Sequence, residues 1–281
     1  MARGTAAVLI TGASTGIGHA TTVGLAQRGF AVFAGVRREE DAARLAADAP
    51  GVTTLILDVT DGASIAAAAR TVSEATGGQL KGLVNNAGIA VTGPLEFLPL
   101  EQVRRQLEVN VLGQIAVTQA ALPMLRAAGG RIVNIGSIGG RVALPFLGPY
   151  AGSKFAMEGV SDSLRRELAP LGVKVALVEP GPIATSMWER GQAVAQSLRD
   201  DMPAEAQQLY GDRMDRAMAA AQARSQEAIP ASAVADIVAH ALTSSRPRTR
   251  YLVGPDTRVM ATLSRLLPDR AMDRLIARRT G

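Results

Sequence analysis

The stretch that limits this chain most lies near its start. Ala6-Ala7-Val8-Leu9-Ile10 is a short aliphatic run that passes directly into Thr11-Gly12-Ala13-Ser14-Thr15-Gly16-Ile17-Gly18. Ala20, Val23, Gly24 and Ala26 follow at helical steps. This predicts a buried strand, a glycine-rich turn and a helix. Glycines let a backbone approach a ligand closely, and the unpaired N–H groups at a helix start favour a pyrophosphate. The spacing is Gly-x-x-x-Gly-x-Gly rather than Gly-x-Gly-x-x-Gly, so the reading rests on the place of the turn between strand and helix.

The same alternation runs on through the chain. Phe30–Val36, Val52–Leu57, Leu80–Val84, Arg131–Ile135 and Val173–Val178 predict further strands. Between them Glu39–Ala47, Asp61–Thr76, Glu101–Ala128 and the segment from Ser153 to Leu168 predict helices. Such alternation means crossover units, a parallel sheet and an α/β fold. Hydrophobic residues make up 47% of the chain and aromatics 3%, so the core must be aliphatic, as buried parallel strands require. A length of 281 residues fits one large α/β domain over 1–281.

Composition removes several function classes. There are no cysteines, which excludes disulfides, a thiolate nucleophile and thiolate metal sites. His19 and His240 lack ligand-spaced partners and read as structural or surface residues, so no metal is expected. No apolar run approaches the ~18 residues of a spanning helix, and the residues before the first strand are too few for a signal peptide; a cytoplasmic location is the expectation. From Arg246 onward stand nine arginines against three aspartates, so this segment alone exceeds the whole chain's net charge of +5. No aromatic or reading element accompanies that charge, and nucleic-acid binding is not expected. Residues 256–281 predict one or two basic amphipathic helices. These could lie on an anionic membrane, cover a binding mouth or pack on a second subunit, with a structural role favoured.

Candidate chemistry gathers at the ends of the predicted strands. Tyr150 and Lys154 stand four apart on a helix and so share a face. A phenol has an ordinary pKa of about 10, and a nearby ammonium is expected to lower it into a useful range. At the second strand's end an acid would favour NAD; here Val36 is followed by Arg37 and Arg38, and arginine matches a 2′-phosphate bidentately, so NADP is favoured with NAD possible. Asp58-Val59 and Asn85-Asn86-Ala87-Gly88 close the third and fourth strands. Asn110 sits inside the long helix, where an amide usually faces solvent.

Taken together, Thr-Gly-x-x-x-Gly-Ile-Gly at 11–18, Asp58-Val59, Asn85-Asn86-Ala87-Gly88, Asn110, Ser137, Tyr150-x-x-x-Lys154 and Pro180-Gly181 resemble the short-chain dehydrogenase/reductase family, in its order and spacing. The resemblance implies a Rossmann-type doubly wound seven-stranded parallel sheet in the order 3-2-1-4-5-6-7, helices on both faces. It implies Tyr150 as acid/base, Ser137 polarising the substrate oxygen, Lys154 on the nicotinamide ribose and Asn110 anchoring a proton relay. Gly12, Ser14, Thr15, Gly16, Ile17 and Gly18 would hold the pyrophosphate, with Arg37 at the 2′-phosphate. Asp58 and Val59 would meet the adenine, and Asn86, Ala87 and Gly88 the adenosine side. Pro180, Gly181, Ile183 and Thr185 would meet the nicotinamide.

Val-Phe-Ala-Gly-Val-Arg-Arg at the second strand, and Arg250-Tyr251-Leu252-Val253-Gly254 before the arginine- and leucine-rich tail, look like the hydroxysteroid and retinol dehydrogenase branch. That likeness implies lipophilic alcohols and ketones. Residues 184–228 would form a substrate lid, with Met187 and Trp188 on it and Leu144 and Phe146 opposite as substrate contacts. Pairing of the Glu101–Ala128 and Ser153–Leu168 helices would give a homodimer or homotetramer. An NAD-dependent dehydrogenase of the family and a non-catalytic dinucleotide sensor are the alternatives; the complete set Asn110, Ser137, Tyr150 and Lys154 speaks against the second.

Overall fold

The structure is a computed structural model that describes residues 5–185, 191, 196, 199–200, 202–226 and 228–280. The first half alternates strictly: β1 (Ala7–Ile10), α1 (Gly16–Gln27), β2 (Ala31–Val36), α2 (Glu39–Asp48), β3 (Thr53–Ile56), α3 (Gly62–Thr76) and β4 (Gly82–Asn85). Then come α4 (Leu100–Leu107), α5 (Gly113–Ala128), β5 (Arg131–Ile135), α6 (Gly148–Leu168), β6 (Lys174–Pro180) and β7 (Ile183–Ala184). The chain continues through α7 (Ala204–Gln226), β8 (Ile229–Pro230), α8 (Ala231–Thr243), β9 (Arg250–Val253), α9 (Pro255–Leu266) and α10 (Asp269–Thr280).

Seven strands form one parallel sheet in the order β3-β2-β1-β4-β5-β6-β9. This is the doubly wound order expected from the sequence, with β9 as the seventh strand. The period of two along β1 explains the layers. Val8 and Ile10 face one core with Leu25 of α1 and Val234 and Val238 of α8; Ala7 and Leu9 face the other with Val72 of α3 and Val117 and Leu125 of α5. Burying each of the larger aliphatic side chains contributes about 1.5–3 kcal/mol, which makes these two layers the main stabilising term.

Local chemistry sets the helix ends that matter for the site. The Asp61 side chain accepts from the Ala63 N–H at 2.9 Å and starts α3, while Gly77 and Gly129 stop α3 and α5 in the left-handed region at φ 59° and 57°. Under the strand ends runs a fully buried polar chain. Asn85 Nδ2 donates to Thr118 Oγ1 at 2.8 Å and to Asn134 Oδ1 at 2.9 Å, and Asn134 Nδ2 donates to Ser161 Oγ at 2.9 Å. It ties β4, β5, α5 and α6 in one relative placement.

Two features depart from the sequence reading. The predicted helix Glu101–Ala128 is not continuous: a π-helical turn, Glu108–Leu112, separates α4 from α5. The added residue in that turn swings Asn110 inward. The second is a parallel pair between β7 and β8, Ile183 with Ile229 and Ala184 with Pro230, which clasps the root of the expected lid. Within that segment α7 is helical as anticipated. The tail forms α9 and α10, and α10 packs on α7. Among the described residues no helix is long and apolar enough to cross a membrane, and no cluster of side chains could hold a metal ion.

Candidate active site

A cavity of about 480 Å³ opens beyond the carboxyl ends of the strands. Its first wall is the glycine turn. Thr11 N–H donates to Val84 O at 3.0 Å and Ala13 N–H to Gly35 O at 2.9 Å, so the turn is suspended between β4 and β2. Thr11 Oγ1 accepts from the N–H groups of Asn86 and Ala87, each at 3.0 Å. Asn86 Nδ2 returns the bond to Thr11 O at 3.0 Å and Gly12 O at 2.9 Å. This crossed pairing brings the ends of β1 and β4 so close that a Cβ on Gly12, at φ +66°, would lie 2.8 Å from Ala87 Cα. Ser14, Thr15, Gly16 and Ile17 line the cavity together with Asn86, Ala87 and Gly88. Gly18 does not line it. It lies beneath the turn, where a Cβ would be 2.2 Å from the Gly12 carbonyl oxygen, so its role is to let α1 approach.

At one end of the cavity lie Arg37, Asp58 and Val59. The two arginines the sequence presents side by side have different fates. Arg38 Nε donates to Asp41 at 3.0 Å, and Arg44 holds the other oxygen of that carboxylate at 2.6 Å. Among the described residues Arg37 makes no such pair, and it lines the cavity. Burial works to raise the Asp58 pKa, but the Thr60 N–H at 2.9 Å, the Thr60 hydroxyl at 2.7 Å and the charge of Arg37 together hold it below its ordinary value. Asp58 is therefore an anionic acceptor.

At the other end α6 carries Tyr150 in its first turn and Lys154 one turn on. Asn110 is wholly buried rather than facing solvent. Its Oδ1 accepts from Ile89 N–H at 2.9 Å, and its Nδ2 donates to Ile89 O at 3.0 Å and Ser153 Oγ at 3.1 Å. Ser153 Oγ in turn donates to Tyr150 O at 2.7 Å, so the π turn grips the start of α6. Ser137 Oγ accepts from Gly139 N–H at 3.0 Å, and a Cβ on Gly139 would meet both the Tyr150 ring at 3.2 Å and Ser137 Oγ at 3.4 Å, so the two side chains are neighbours. Asn110, Ser137, Tyr150 and Lys154 all line the cavity.

The electrostatics differ from the expectation. Burial pushes the Tyr150 phenol above its ordinary value, and the Ser137 bond pulls it partly back. Lys154, 5% exposed, donates to Ile135 O at 2.8 Å, with its Nζ 5.9 Å from the Tyr150 ring centre. In this geometry the ammonium is turned to a carbonyl and does not lower the phenol. Burial lowers Lys154 itself to about 8.

Pro180, Gly181, Ile183 and Thr185 complete the wall beside Tyr150. A Cβ on Gly16 would stand 3.0 Å from Thr185, so the two sides of the cavity nearly meet there. Leu144 and Phe146, expected as substrate contacts, do not line the cavity. Phe146 adopts φ +65°, its carbonyl accepts from Gly93 N–H at 2.8 Å, and its ring lies edge-on to Tyr210 of α7 at 6.3 Å. That strained turn aims the ring at the lid. Met187 and Trp188 lie outside the described residues. Sequence reasoning missed Gln102, Arg105 and Val109, which line the cavity from α4 and the π turn. It also missed Gln106, fully buried, which accepts from Val91 N–H at 2.7 Å and donates to Ile89 O at 2.8 Å. The signal was present: Gln106 and Asn110 are two amides one helical turn apart.

Comparison with known proteins agrees with this arrangement. A model of the family described as short chain dehydrogenase matches residues 6–195. The chain is a short-chain dehydrogenase. Its relatives in this family include the NADPH-dependent 3-dehydrocapnine reductase of Ornithobacterium rhinotracheale, 35% identical over 95% of this chain and 94% of that protein. They also include 17-beta-hydroxysteroid dehydrogenase type 6 of Bos taurus, 40% identical over 96% of this chain and 87% of that protein. A short chain dehydrogenase from Burkholderia cenocepacia J2315, solved in complex with NADP, superposes with a TM-score of 0.73 at 29% identity, covering 98% of this chain and 97% of that one. As a short-chain dehydrogenase the chain is an NAD(P)-dependent oxidoreductase. Its glycine turn, with Gly12, Ser14, Thr15, Gly16 and Ile17 lining the cavity at the N-terminus of α1, is a cradle that suits a dinucleotide's pyrophosphate.

Proposed function

We propose that this enzyme transfers a hydride between NADP(H) and a lipophilic secondary alcohol or ketone, or a primary alcohol or aldehyde, with Tyr150 as the acid/base. The observation that carries the reading is that Ser137 and Tyr150 stand together around Gly139 in the cavity that the glycine turn also walls. When bound, a nicotinamide dinucleotide supplies or accepts the hydride. The chain's own residues do the rest. Ser137 holds the substrate oxygen and polarises it. Tyr150 donates a proton to that oxygen in reduction and removes it in oxidation; a phenol raised by burial favours the donor form at neutral pH. Lys154 carries positive charge below about pH 8 and can reach ribose hydroxyls from beneath Tyr150. Asn110 fixes the first turn of α6 and hence the phenol.

Arg37 supports NADP over NAD, because its guanidinium is in no salt bridge among the described residues and lines the cavity beside Asp58. The relative named as NADPH-dependent agrees with this preference. A lipophilic substrate is supported by the methionines of the otherwise charged, alanine-rich lid segment: Met202 and Met214 share a pocket of about 110 Å³ with Phe97 and Leu98. A homo-oligomer is supported by Leu107, Leu112 and Phe155, exposed on the helices expected to pair.

The test mixes the protein with NADPH and a panel of lipophilic ketones and aldehydes and follows loss of the reduced cofactor by absorbance. Turnover with at least one carbonyl is expected, together with a loss of about 10²–10⁴-fold on Tyr150→Phe and unchanged NADPH affinity. Binding without turnover across the panel, and a Tyr150→Phe protein that behaves as wild type in cells, would point instead to a dinucleotide sensor.

A further inference from the structure

Behind the cavity wall lies a cluster of charged side chains that the chemistry above does not use. Arg141 Nε meets Glu179 Oε1 at 2.5 Å and its Nη2 meets Oε2 at 3.0 Å, a two-bonded pair in which Glu179 is wholly buried. Arg250 holds Glu158 Oε2 at 3.0 Å through Nη2 and at 3.1 Å through Nε, and its third nitrogen holds Asp162 at 3.0 Å. The Glu158 and Glu179 carboxyls converge on Arg141, whose Nη2 stands 3.0 Å from Glu179 Oε2 and 4.0 Å from Glu158 Oε2, and burial and Glu179 together push the Glu158 pKa up. Glu158 Oε1 is buried and faces no donor on the protein. Two carboxylates only accept, so a contact between them needs a proton on one, and Oε1 is the Glu158 oxygen that no donor occupies.

The four anchors of this cluster all have a stake in the active site. Arg141 ends the short turn that begins at Ser137. Within that turn Gly140 is pressed onto α6, where a Cβ would be 2.9 Å from Lys154 O and 3.3 Å from Glu158 Cγ. Glu179 immediately precedes Pro180-Gly181 of the cavity wall. Glu158 stands one helical turn beyond Lys154, and Arg250 opens the outermost strand β9.

Resting on the functional reading above, we propose that Arg141, Glu179, Glu158 and Arg250 form a positioning brace, in which one proton shared by the two carboxyls locks the Ser137 turn against the helix of Tyr150 and Lys154. With the proton present, each guanidinium has a matching carboxylate, Glu179 for Arg141 and Asp162 for Arg250. Without it two buried negative charges confront one another and the turn loses its tie to α6. The groups that face Glu158 come from every neighbouring element. They are Glu179 from β6, Arg141 from the turn, Arg250 from β9, and Asp162 on its own helix, itself paired with Arg165 at 3.5 Å and Arg166 at 3.7 Å. Helix α9 also packs on the turn, but there Thr257 is buried, while Asp256, Arg258 and Arg265 are exposed. Burial first, then Glu179, push the Glu158 carboxyl up to about 7 against the pull of Arg250. A raised folded-state pKa favours folding fully below the ordinary carboxyl range and loses that contribution as pH rises through about 7.

The experiment compares wild type, Glu158→Gln and Glu158→Ala as full-length proteins, with cofactor, between pH 6 and 8. Glutamine donates to Glu179 as a protonated carboxyl does and cannot lose the bond. Glu158→Gln is expected to keep kcat within about twofold of wild type at pH 6 and to lack the wild-type fall near pH 7. Glu158→Ala is expected to lose about tenfold in kcat at every pH with KM for NADPH unchanged. Infrared difference spectra read the pair without any substrate: a protonated-carboxyl band that disappears near pH 7 in wild type should be absent in Glu158→Gln. A Glu158→Gln profile identical to wild type, or no titrating band in wild type, overturns the brace. A titrating band in a protein that reduces no carbonyl supports the proton-sharing pair and removes the functional reading instead.

Discussion

The floor of the cavity and the helix α7 are held by different forces. The floor is a lattice of buried hydrogen bonds: Thr11 with Asn86 and Ala87, Asn110 with Ile89 and Ser153, Lys154 with Ile135. Helix α7 lines a separate small pocket through Met214, and its fastening is looser. Tyr210 donates to Glu96 at 2.7 Å in an exposed bond and meets Phe97 and Phe146 edge-on at 6.0 and 6.3 Å. A buried hydrogen bond fixes an atom, and leaving its partner unmade costs about 1–3 kcal/mol. Aromatic edges and methionines hold a surface in place while allowing it to repack, at about 0.5–1.5 kcal/mol per aromatic pair. Proton transfer needs the first kind of support and substrate choice can use the second. Damage to the floor should therefore abolish chemistry, and damage to α7, the proposed lid, should change which substrate is preferred.

The largest effect is expected beneath the glycine turn. Gly18→Ala places a Cβ 2.2 Å from a backbone oxygen, and backbone cannot move aside without separating β1 from α1. NADPH binding measured by fluorescence should vanish; near-normal affinity would show that the turn is not held as rigidly as the floor requires. Next comes Asn110→Leu, which strands the Ile89 N–H and releases the start of α6. A loss of about 1–3 kcal/mol in denaturant unfolding and a fall in kcat should appear together. A fall in KM alone would break the link between the π turn and Tyr150.

Arg37→Ala should act at the floor's open end. Loss of a charge-assisted pair worth about 1.5–3 kcal/mol predicts roughly a 10–100-fold drop in preference for NADPH over NADH, read from the two dissociation constants. Arg38→Ala should leave that ratio alone and instead loosen Asp41, because its guanidinium is already engaged. The smallest effect belongs to α7. Tyr210→Phe removes one exposed hydrogen bond and keeps both ring contacts. Thermal stability should hold, while KM for bulky ketones shifts by a few-fold with little change in kcat. An unaltered KM across ketones of different size would place selection elsewhere than on α7.

What the sequence determined by itself is whatever depends on near neighbours along the chain. Strand and helix follow from periodicity, the glycine turn follows from its place between β1 and α1, and Tyr150 and Lys154 share a face because a helix makes one turn in that interval. Tertiary structure alone decided the rest. Arg37 and Arg38 are adjacent and look equivalent, yet Asp41 claims one and leaves the other to the cavity. Asn110 looks like a surface amide until a π turn and the remote Ser153 enclose it. Phe146 precedes the catalytic helix, yet its left-handed backbone directs the ring to the lid rather than the cavity. Glu158, Glu179, Arg141 and Arg250 are unremarkable charges in the chain and become one cluster only when β6, β9 and α6 converge. The physical reason is the same in each case. A side chain's charge, burial and partners are set by groups brought from far along the sequence, and no local pattern encodes which of several equivalent residues will reach them.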